Sequence, residues 1–374
     1  MTTKTSGRFL IGTFAVLIFA GAITLPTAVL ALTATWTPTA GGDFAWTNTA
    51  NWTPSTAYPN ATGDVATVSL TVTGGSQTNT LNVPITLSQL TYGGAGTVAT
   101  NTMELAAGTG GSLTFATTNG NAKLFLNSET FSAAQVNVIS APVILASDLD
   151  VLVQLMGGNR KLIFTGDISE TGGSRNMSLA NRYFIYKGSN SYSGRTTLDM
   201  TYLDLDYRPN NASKLSPTSE LRMSHSYLTA TGNTAQATSQ TINGLVLSNG
   251  ISTATLVAST NQNLTFNLGP LSRTGLGTIK FVKTDNGSGI ALFTTTSVNS
   301  NGILGGYATL GNDWAINNGA AVITNLTAYG TSSFANNTNT YVNSSLTANS
   351  NFTINSWFFT VCRKNHIAFR MSVD

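Results

Sequence analysis

The chain has 374 residues, of which 9% are charged and 41% are hydrophobic, and its formal net charge is +3. Ordinary soluble domains have roughly 25% charged residues, so the polar surface here must consist largely of neutral Asn, Thr, Ser and Gly. This composition is typical of extracellular β-rich repeat proteins, whose neutral polar side chains occupy turns and stack along ladders. The few cations form no dense cluster, which argues against nucleic acid as a partner.

Residues 1–31 have the pattern of a secretory signal peptide. Lys4 and Arg8 give a positively charged start, residues 9–25 form an apolar run, and residues 29–31 provide a cleavage pattern. The alternative is an uncleaved anchor helix, which glycines and a proline within the run disfavour. The sequence therefore predicts export, with no membrane-spanning segment in the mature chain.

Residues 32–70 form a tryptophan-rich opening that predicts an N-terminal cap. Trp36, Trp46 and Trp52 lie between Gly, Pro and Asn turns, and an alternating strand pattern follows from Val65. A repeat solenoid needs an atypical end that shields its first coil, and large aromatic side chains do this efficiently.

Residues 71–356 are a series of short alternating runs separated by Asn and Gly, without apolar residues at helical spacing. The fold class is all-β, and a sandwich, barrel or propeller remains an alternative. Recurrent Leu-x-Leu and Val-x-Ile pairs closed by Gly-containing turns favour a right-handed parallel β-helix, a solenoid with coils of ~20 residues and about a dozen rungs. The side chains expected to point inward are Leu124, Leu126, Leu245, Leu247, Leu264 and Phe266.

Residues 357–374 differ from everything before them, because they bring several cations, Cys362 and His366 into an almost uncharged region. A frame slip or truncation of the gene and a genuine basic terminal strand are both open interpretations. Cys362 is the only cysteine, so no intrachain disulfide is expected. One cysteine and the two distant histidines, His225 and His366, give no zinc ligand set, and no cofactor or metal is expected.

Residues 188–206, GSNSYSGRTTLDMTYLDLD, resemble the autotransporter-associated β-strand repeat, usually an Asn-Thr-Tyr-Ser-Gly-Gly-Thr-Thr block followed by a Gly and a Leu-x-Leu strand. Arg195 replaces the usual second Gly, and the Gly before the strand is missing. The matching residues are Asn190, Tyr192, Ser193, Gly194, Thr196 and Thr197.

The resemblance extends to the tryptophan-rich opening and to the blocks after residue 212, and so covers most of the mature chain. It implies a passenger-type β-helix that is exported and is located outside the cell or at an outer-membrane-associated cell surface. The family usually continues into further repeats and a membrane barrel or a sorting tail, neither of which is visible in this sequence. The motif says little about activity.

Asp199, Asp204 and Asp206 are the candidate catalytic residues of an alternative reading. Asp204 and Asp206 are two apart on a strand and share one face, and β-helix polysaccharide lyases and hydrolases place carboxylates on neighbouring rungs as an acid/base pair. Arg160, Lys161 or Arg208 could neutralise a uronate. The preferred reading is simpler, because alternation alone turns the leucines inward and the aspartates to water.

Six tyrosine and phenylalanine residues cluster between residues 183 and 207. Sugar-binding surfaces use such rings, although on a β-helix they more often stack in or over the core. Tyr192, Tyr202 and Tyr207 are the candidate ligand-binding residues. The first hypothesis is an exported structural or adhesive β-helix without catalysis, with extracellular polysaccharide or cell-surface components as partners. The second is a secreted carbohydrate-active enzyme that uses the three aspartates.

Overall fold

The computed structural model describes residues 31–69, 71–93, 102–126, 136–153, 161–331, 339–342 and 356–359. Three sequence predictions fall largely outside the described residues: the signal peptide except Ala31, the tail from residue 360 onward, and Arg160 as a uronate partner. Within the described part of the chain, no helix is long and apolar enough to cross a membrane.

Regular structure consists almost entirely of short strands. A single 3₁₀ turn, Thr49–Asn51, is the only helical element among the described residues. In chain order the strands are β1 (Thr33–Trp36), β2 (Ala40–Ala45), β3 (Trp52–Thr53), β4 (Val65–Val68), β5 (Thr73–Leu81), β6 (Pro84–Leu87), β7 (Gln89–Tyr92), β8 (Thr102–Ala107), β9 (Ser112–Phe115), β10 (Ala122–Leu126), β11 (Val136–Ile139), β12 (Val143–Leu145), β13 (Leu149–Val153), β14 (Lys161–Phe164), β15 (Ile168–Glu170), β16 (Met177–Ala180), β17 (Tyr183–Tyr186), β18 (Thr196–Asp199), β19 (Tyr202–Asp206), β20 (Leu221–Ser224), β21 (Tyr227–Thr231), β22 (Thr238–Thr241), β23 (Leu245–Leu247), β24 (Ile251–Val257), β25 (Leu264–Asn267), β26 (Leu271–Arg273), β27 (Thr278–Thr284), β28 (Ala291–Thr294), β29 (Ala308–Leu310), β30 (Asp313–Asn317), β31 (Ile323–Asn325), β32 (Gly330–Thr331), β33 (Asn339–Val342) and β34 (Ser356–Phe359).

These strands stack into the parallel sheets of a β-solenoid. Sheet 1 has the order β3-β1-β4-β7-β10-β13-β16-β18-β20-β23-β26, and sheet 2 has the order β2-β5-β8-β11-β14-β17-β19-β21-β24-β27-β29-β30-β31. A third side consists of two shorter sheets, β6-β9-β12-β15 and β22-β25-β28. The third side therefore has no strand in the two coils between β15 and β22. The last strands, β32, β33 and β34, form a small parallel sheet of their own.

The all-β solenoid prediction is confirmed, but the number of coils is corrected to about 8 turns. A coil is longer than expected because it includes a third side and the loops that join the three sides. Coil length also varies: Gln89 pairs with Lys123, 34 residues further along, whereas Met177 pairs with Thr196, only 19 residues further along.

The core is built from inward-pointing side chains that lie in rows from coil to coil. Along nearly every strand buried residues alternate with more exposed ones, as the period of two for a strand requires. Leu90, Leu124 and Val151 form one such row in sheet 1. All six side chains predicted to point inward are fully buried: Leu124, Leu126, Leu245, Leu247, Leu264 and Phe266.

The predicted aromatic cap is present at the N-terminal end. The ring centroids of Trp36 and Trp46 lie 4.9 and 4.6 Å from that of Trp52, and all three indoles are buried. Each indole N–H donates to a buried oxygen; that of Trp36 bonds to Gln77 Oε1 at 3.1 Å. The parallel ladder already begins in this segment, because Thr33 pairs with Val65.

Both long sheets change from parallel to antiparallel pairing at one end. In sheet 1 the two-residue strand β3 runs antiparallel to β1 and is the last strand at the N-terminal end. In sheet 2 the opposite end is formed by β30 and β31, which fold back antiparallel on β29 and on each other.

Candidate functional site

The repeat-like motif begins on the third side, in the first coil that has no strand there, and ends in β18 of sheet 1 with Thr196 and Thr197. Asn190 Oδ1 accepts a hydrogen bond from the backbone N–H of Ile168 in the preceding coil (3.1 Å), and Asn190 Nδ2 donates to the carbonyl oxygen of Lys214 in the following coil (2.9 Å). The Asn190 backbone N–H also donates to Ser213 (2.9 Å). One buried side chain thus replaces part of the missing ladder and connects three coils.

The other motif residues continue this connection. The Tyr192 ring is fully buried and its hydroxyl bonds to Thr196 Oγ1 at 2.6 Å. The backbone N–H and hydroxyl of Ser193 both donate to Glu170 Oε1, at 2.9 and 2.6 Å. Gly194 passes so close to the preceding coil that a Cβ here would lie 2.0 Å from the Arg175 carbonyl oxygen.

Thr197 lies on the outer face of sheet 1. It pairs with Ser178 and Arg222 in β16 and β20. The motif residues therefore have structural contacts throughout, and none of those described above is arranged around an open site.

The structure does not bring the three candidate aspartates together. Asp199 ends β18 in sheet 1, whereas Asp204 and Asp206 lie in β19 of sheet 2, beyond the corner at Met200 and Thr201. The expectation that these aspartates simply point to water is also corrected for Asp206, which is 4% exposed.

Asp206 is covered because Arg208 folds back over it. Arg208 Nε and Nη2 donate to the two carboxylate oxygens at 2.8 and 2.9 Å, and Lys187 Nζ lies 3.7 Å away. Burial alone would raise the pKa of Asp206, but the hydrogen bonds from Arg208 and the two positive charges outweigh burial and lower it. Asp206 is therefore ionised and already paired.

Asp204 has the opposite electrostatic environment. Burial raises its pKa, and hydrogen bonds from the hydroxyls of Tyr183 and Thr229 only partly oppose this. Burial, together with the hydrogen bond to Asp204, raises the pKa of Tyr183. Two carboxyl groups two residues apart on one strand thus have pKa values shifted in opposite directions.

Lys214 is a buried cation in the second coil that has no third-side strand. Its Nζ donates to the carbonyl oxygen of Lys187 at 2.7 Å and to Asn210 Oδ1 at 2.6 Å, and it lies 5.3 Å from the centroid of the Tyr207 ring. Burial lowers the pKa of Lys214 to about 8, although the charge of Asp206 opposes the shift. Sequence reasoning did not single out this residue.

Only one of the three candidate ligand-binding tyrosines has an exposed ring. Tyr192 and Tyr207 are fully buried, and the Tyr207 hydroxyl bonds to the equally buried Gln240. Both side chains fill the core beside the missing third-side strands, so neither ring can contact a ligand at the surface. This corrects the sequence prediction for Tyr192 and Tyr207. Tyr202 is 48% exposed on the outer face of sheet 2.

Tyr202 is the middle member of a tyrosine ladder, formed by Tyr183, Tyr202 and Tyr227 in three successive coils. Tyr202 and Tyr227 are stacked, with a centroid distance of 4.4 Å and an interplanar angle of 4°, and Tyr183 meets Tyr202 edge-on at 6.1 Å. Tyr227 is 43% exposed. Lys161 Nζ lies over the Tyr183 ring, 4.6 Å from its centroid.

Tyr227 was not predicted from the sequence because it lies one coil beyond the cluster of residues 183–207. A sequence pattern shared by the three tyrosines nevertheless exists. Each tyrosine follows a corner residue by two positions, in Asn181-Arg182-Tyr183, Met200-Thr201-Tyr202 and His225-Ser226-Tyr227. The three corner residues all have positive φ, of 68°, 48° and 48°. Their N–H groups donate to the carbonyl oxygens of Asp199, Ser224 and Asn249 in the next coil.

His225 is thus an exposed residue at the corner between β20 and β21, with positive φ. Across the described residues, no group of three or more His, Cys, Asp or Glu side chains is placed to hold a metal ion. The features that remain as a candidate site are the tyrosine ladder and the Asp204–Asp206 pair beside it.

Replacing Gly194 by Ala tests the close approach of the motif to the preceding coil. The added methyl group would meet the Arg175 backbone, so we expect Gly194→Ala to lower the free energy of unfolding by about 1–3 kcal/mol or more. Gly306→Ala is the matched control, because a Cβ at Gly306 meets no atom within 4 Å. Urea unfolding followed by circular dichroism measures both, and equal unfolding midpoints would contradict the close approach.

The lowered pKa of Lys214 predicts that the stability of the protein depends on pH. Below pH 8 the ammonium is protonated in both the folded and the unfolded chain, so its contribution does not change with pH. Between about pH 8 and 10 the folded chain releases this proton while the unfolded chain, with a lysine pKa of about 10.4, retains it. The free energy of unfolding attributable to Lys214 should therefore rise with pH in this window.

The measurement compares urea unfolding midpoints of the wild type and Lys214→Met between pH 7.5 and 9.5. We expect the difference between the two proteins to move in favour of the wild type as the pH rises. The buried tyrosines are common to both proteins and cancel in this difference. A difference that is constant across the window would show that Lys214 titrates normally.

A comparison of the chain with protein-family models, curated proteins and solved structures gives no match in any of the three. The resemblance to the autotransporter-associated repeat consequently stays a prediction from residues 188–206. The described residues belong to an all-β parallel solenoid.

Proposed function

We propose that the chain is an exported β-solenoid that acts as a structural and adhesive element at the cell surface or outside the cell, without catalysis. The tyrosine ladder is the single observation that carries this proposal. Two rings exposed by 48% and 43% stand side by side on a rigid sheet, where hydrogen bonds between coils fix their spacing. Tyrosine is enriched in binding interfaces because it combines a large apolar ring with a polar tip.

Two further features support a passive role. The motif residues and Lys214 are engaged in contacts between coils, and Asp206 is ion-paired and covered. The scarcity of charged residues and the signal-like residues 1–31 favour an extracellular location. The resemblance of residues 188–206 to a passenger-type repeat agrees with attachment to, or release from, an outer-membrane surface. Extracellular polysaccharide or cell-surface components are the corresponding partners.

Adhesion is tested with beads coated with the full chain on films of collagen, cellulose and chitin. We expect retention on at least one film and an at least fivefold loss in the Tyr202→Ala/Tyr227→Ala variant, because truncation removes both exposed rings of the ladder. The control is Leu276→Ala/Val298→Ala, which removes two exposed apolar side chains elsewhere. No retention of the wild type, or equal retention of the ladder variant, would refute the proposal.

A second candidate function, a secreted carbohydrate-active enzyme, is favoured by the Asp204–Asp206 pair. Opposite pKa shifts in neighbouring carboxyl groups are the pattern of a general acid and its ionised partner. The cover over Asp206 counts against this function, since a substrate would have to displace Arg208.

The enzyme hypothesis predicts release of reducing ends or unsaturated uronates from a panel of polysaccharides. Asp204→Asn should abolish the release because it removes the titrating carboxyl group. Asp199→Asn should leave the release unchanged, because Asp199 lies in the other sheet. A wild-type protein that releases nothing from the panel excludes this function for the substrates tested.

A further inference from the structure

The tyrosine ladder belongs to a longer column of outward-pointing residues in sheet 2. Strand register places one residue of this column in each coil from β14 to β27. In order, the column is Lys161, Tyr183, Tyr202, Tyr227, Thr253 and Lys280. Within this stretch a lysine stands at each end and one small residue interrupts it, while the register continues to Val136 before Lys161 and to Thr309 after Lys280.

The Lys161 end of the column is closed. Lys161 lies in the coil next to Tyr183, and its ammonium is 4.6 Å from the ring centroid. This distance is that of a favourable cation–π contact. Tyr183 thus lies between Lys161 and Tyr202, and Tyr202 lies between Tyr183 and Tyr227.

The Lys280 end is open by one coil. Thr253 occupies the position next to Tyr227, so no ring follows there, and the next residue of the column is the exposed Lys280. Across the described residues the Tyr227 ring has no aromatic neighbour other than Tyr202, and the Lys280 side chain makes no hydrogen bond or ion pair. We call the gap bounded by Tyr227, Ile251, Thr253 and Lys280 the open rung.

The dimensions of the open rung match one planar ring. Two coil spacings separate the Tyr227 and Lys280 positions, a distance of about 9.6 Å. A ring–ring contact of 4.4 Å and an ammonium–ring contact of 4.6 Å, both present in this column, together span nearly the same distance. One inserted ring could stack on Tyr227 and receive the Lys280 ammonium on its other face.

The surroundings of the open rung favour an aromatic ring over a sugar ring. Ile251 lies two residues before Thr253 on the same face and is 73% exposed, which makes it an apolar contact without cover. A pyranose would place hydroxyl groups against Ile251 and offers no π-face to an ammonium. An aromatic ring satisfies the apolar contact and the cation–π contact together.

We infer that the open rung binds an aromatic side chain presented by a partner polypeptide at the cell surface. The inference rests on the proposed adhesive function and names the chemistry of its partner. A single ring inserted in one rung gives weak binding, in the millimolar range, so firm adhesion would require several copies of the chain acting together.

The test uses saturation-transfer NMR with N-acetyltyrosinamide as the aromatic probe and cellotetraose as the sugar probe, on the purified full chain. We expect transfer to the aromatic probe in the wild type and at least a fivefold loss in Thr253→Tyr, in which a fourth tyrosine fills the open rung. Thr114→Tyr is the matched control, because Thr114 points outward from β9 on the third side, and it should bind like the wild type.

Tyr227→Ala and Lys280→Gln provide independent variants, and both should weaken the transfer to N-acetyltyrosinamide. Thermal unfolding of Thr253→Tyr checks that it is folded; if it is not, these two variants decide the test. The inference is overturned if the wild type gives no transfer, if the variants bind as the wild type does, or if only cellotetraose binds and Thr253→Tyr removes that binding.

The two proposals can fail separately. Retention of coated beads that depends on Tyr202 and Tyr227, together with no probe binding, would keep the adhesive function and remove the open-rung inference. Probe binding that Thr253→Tyr abolishes, together with no bead retention on any film, would keep the binding site and remove the adhesive function.

Discussion

Hydrogen bonds between the backbones of successive coils hold each strand about 4.8 Å from the next, and this one spacing determines where the other groups of the molecule lie. Inside the solenoid it aligns apolar side chains such as Leu90 and Leu124 into continuous rows. Outside, it brings Lys161 over Tyr183 and stacks Tyr202 on Tyr227. The properties of an outer residue therefore depend mainly on its counterparts one coil away.

The same constraint explains the polar residues of the third side. Backbone N–H and C=O groups near the core need partners, and a strand in the next coil ordinarily provides them. Where the third side has no strand, buried amide side chains take over this role: Asn190 bonds to the coils on both sides of it, and Gln240 accepts hydrogen bonds from the backbone N–H groups of Lys214 and Leu215. The repeat-like motif is thus a structural connection in this chain.

Alternation within a strand is a local property, so the sequence was sufficient to predict the all-β class, the cap and the inward side chains. Register between coils is not local, because loops of different length separate equivalent strands. For this reason alternation alone did not align Tyr227 with Tyr202, and the number of coils was overestimated. The burial of Asp206 also could not be predicted, since it depends on Arg208 turning back after the strand has ended.

The antiparallel strands at the ends of the two long sheets have a consequence for self-association. A parallel ladder has no intrinsic stop, because its last strand offers unpaired N–H and C=O groups to any chain that continues the pattern. Two copies of this protein could stack end to end only if both sheets continued in register. At one end β3 reverses the direction of sheet 1, and at the other end β30 reverses that of sheet 2 before β31 runs in the direction of β29 again. Regular parallel pairing from coil to coil is thus interrupted at one end of each long sheet, which disfavours continuation of the stack into a fibre.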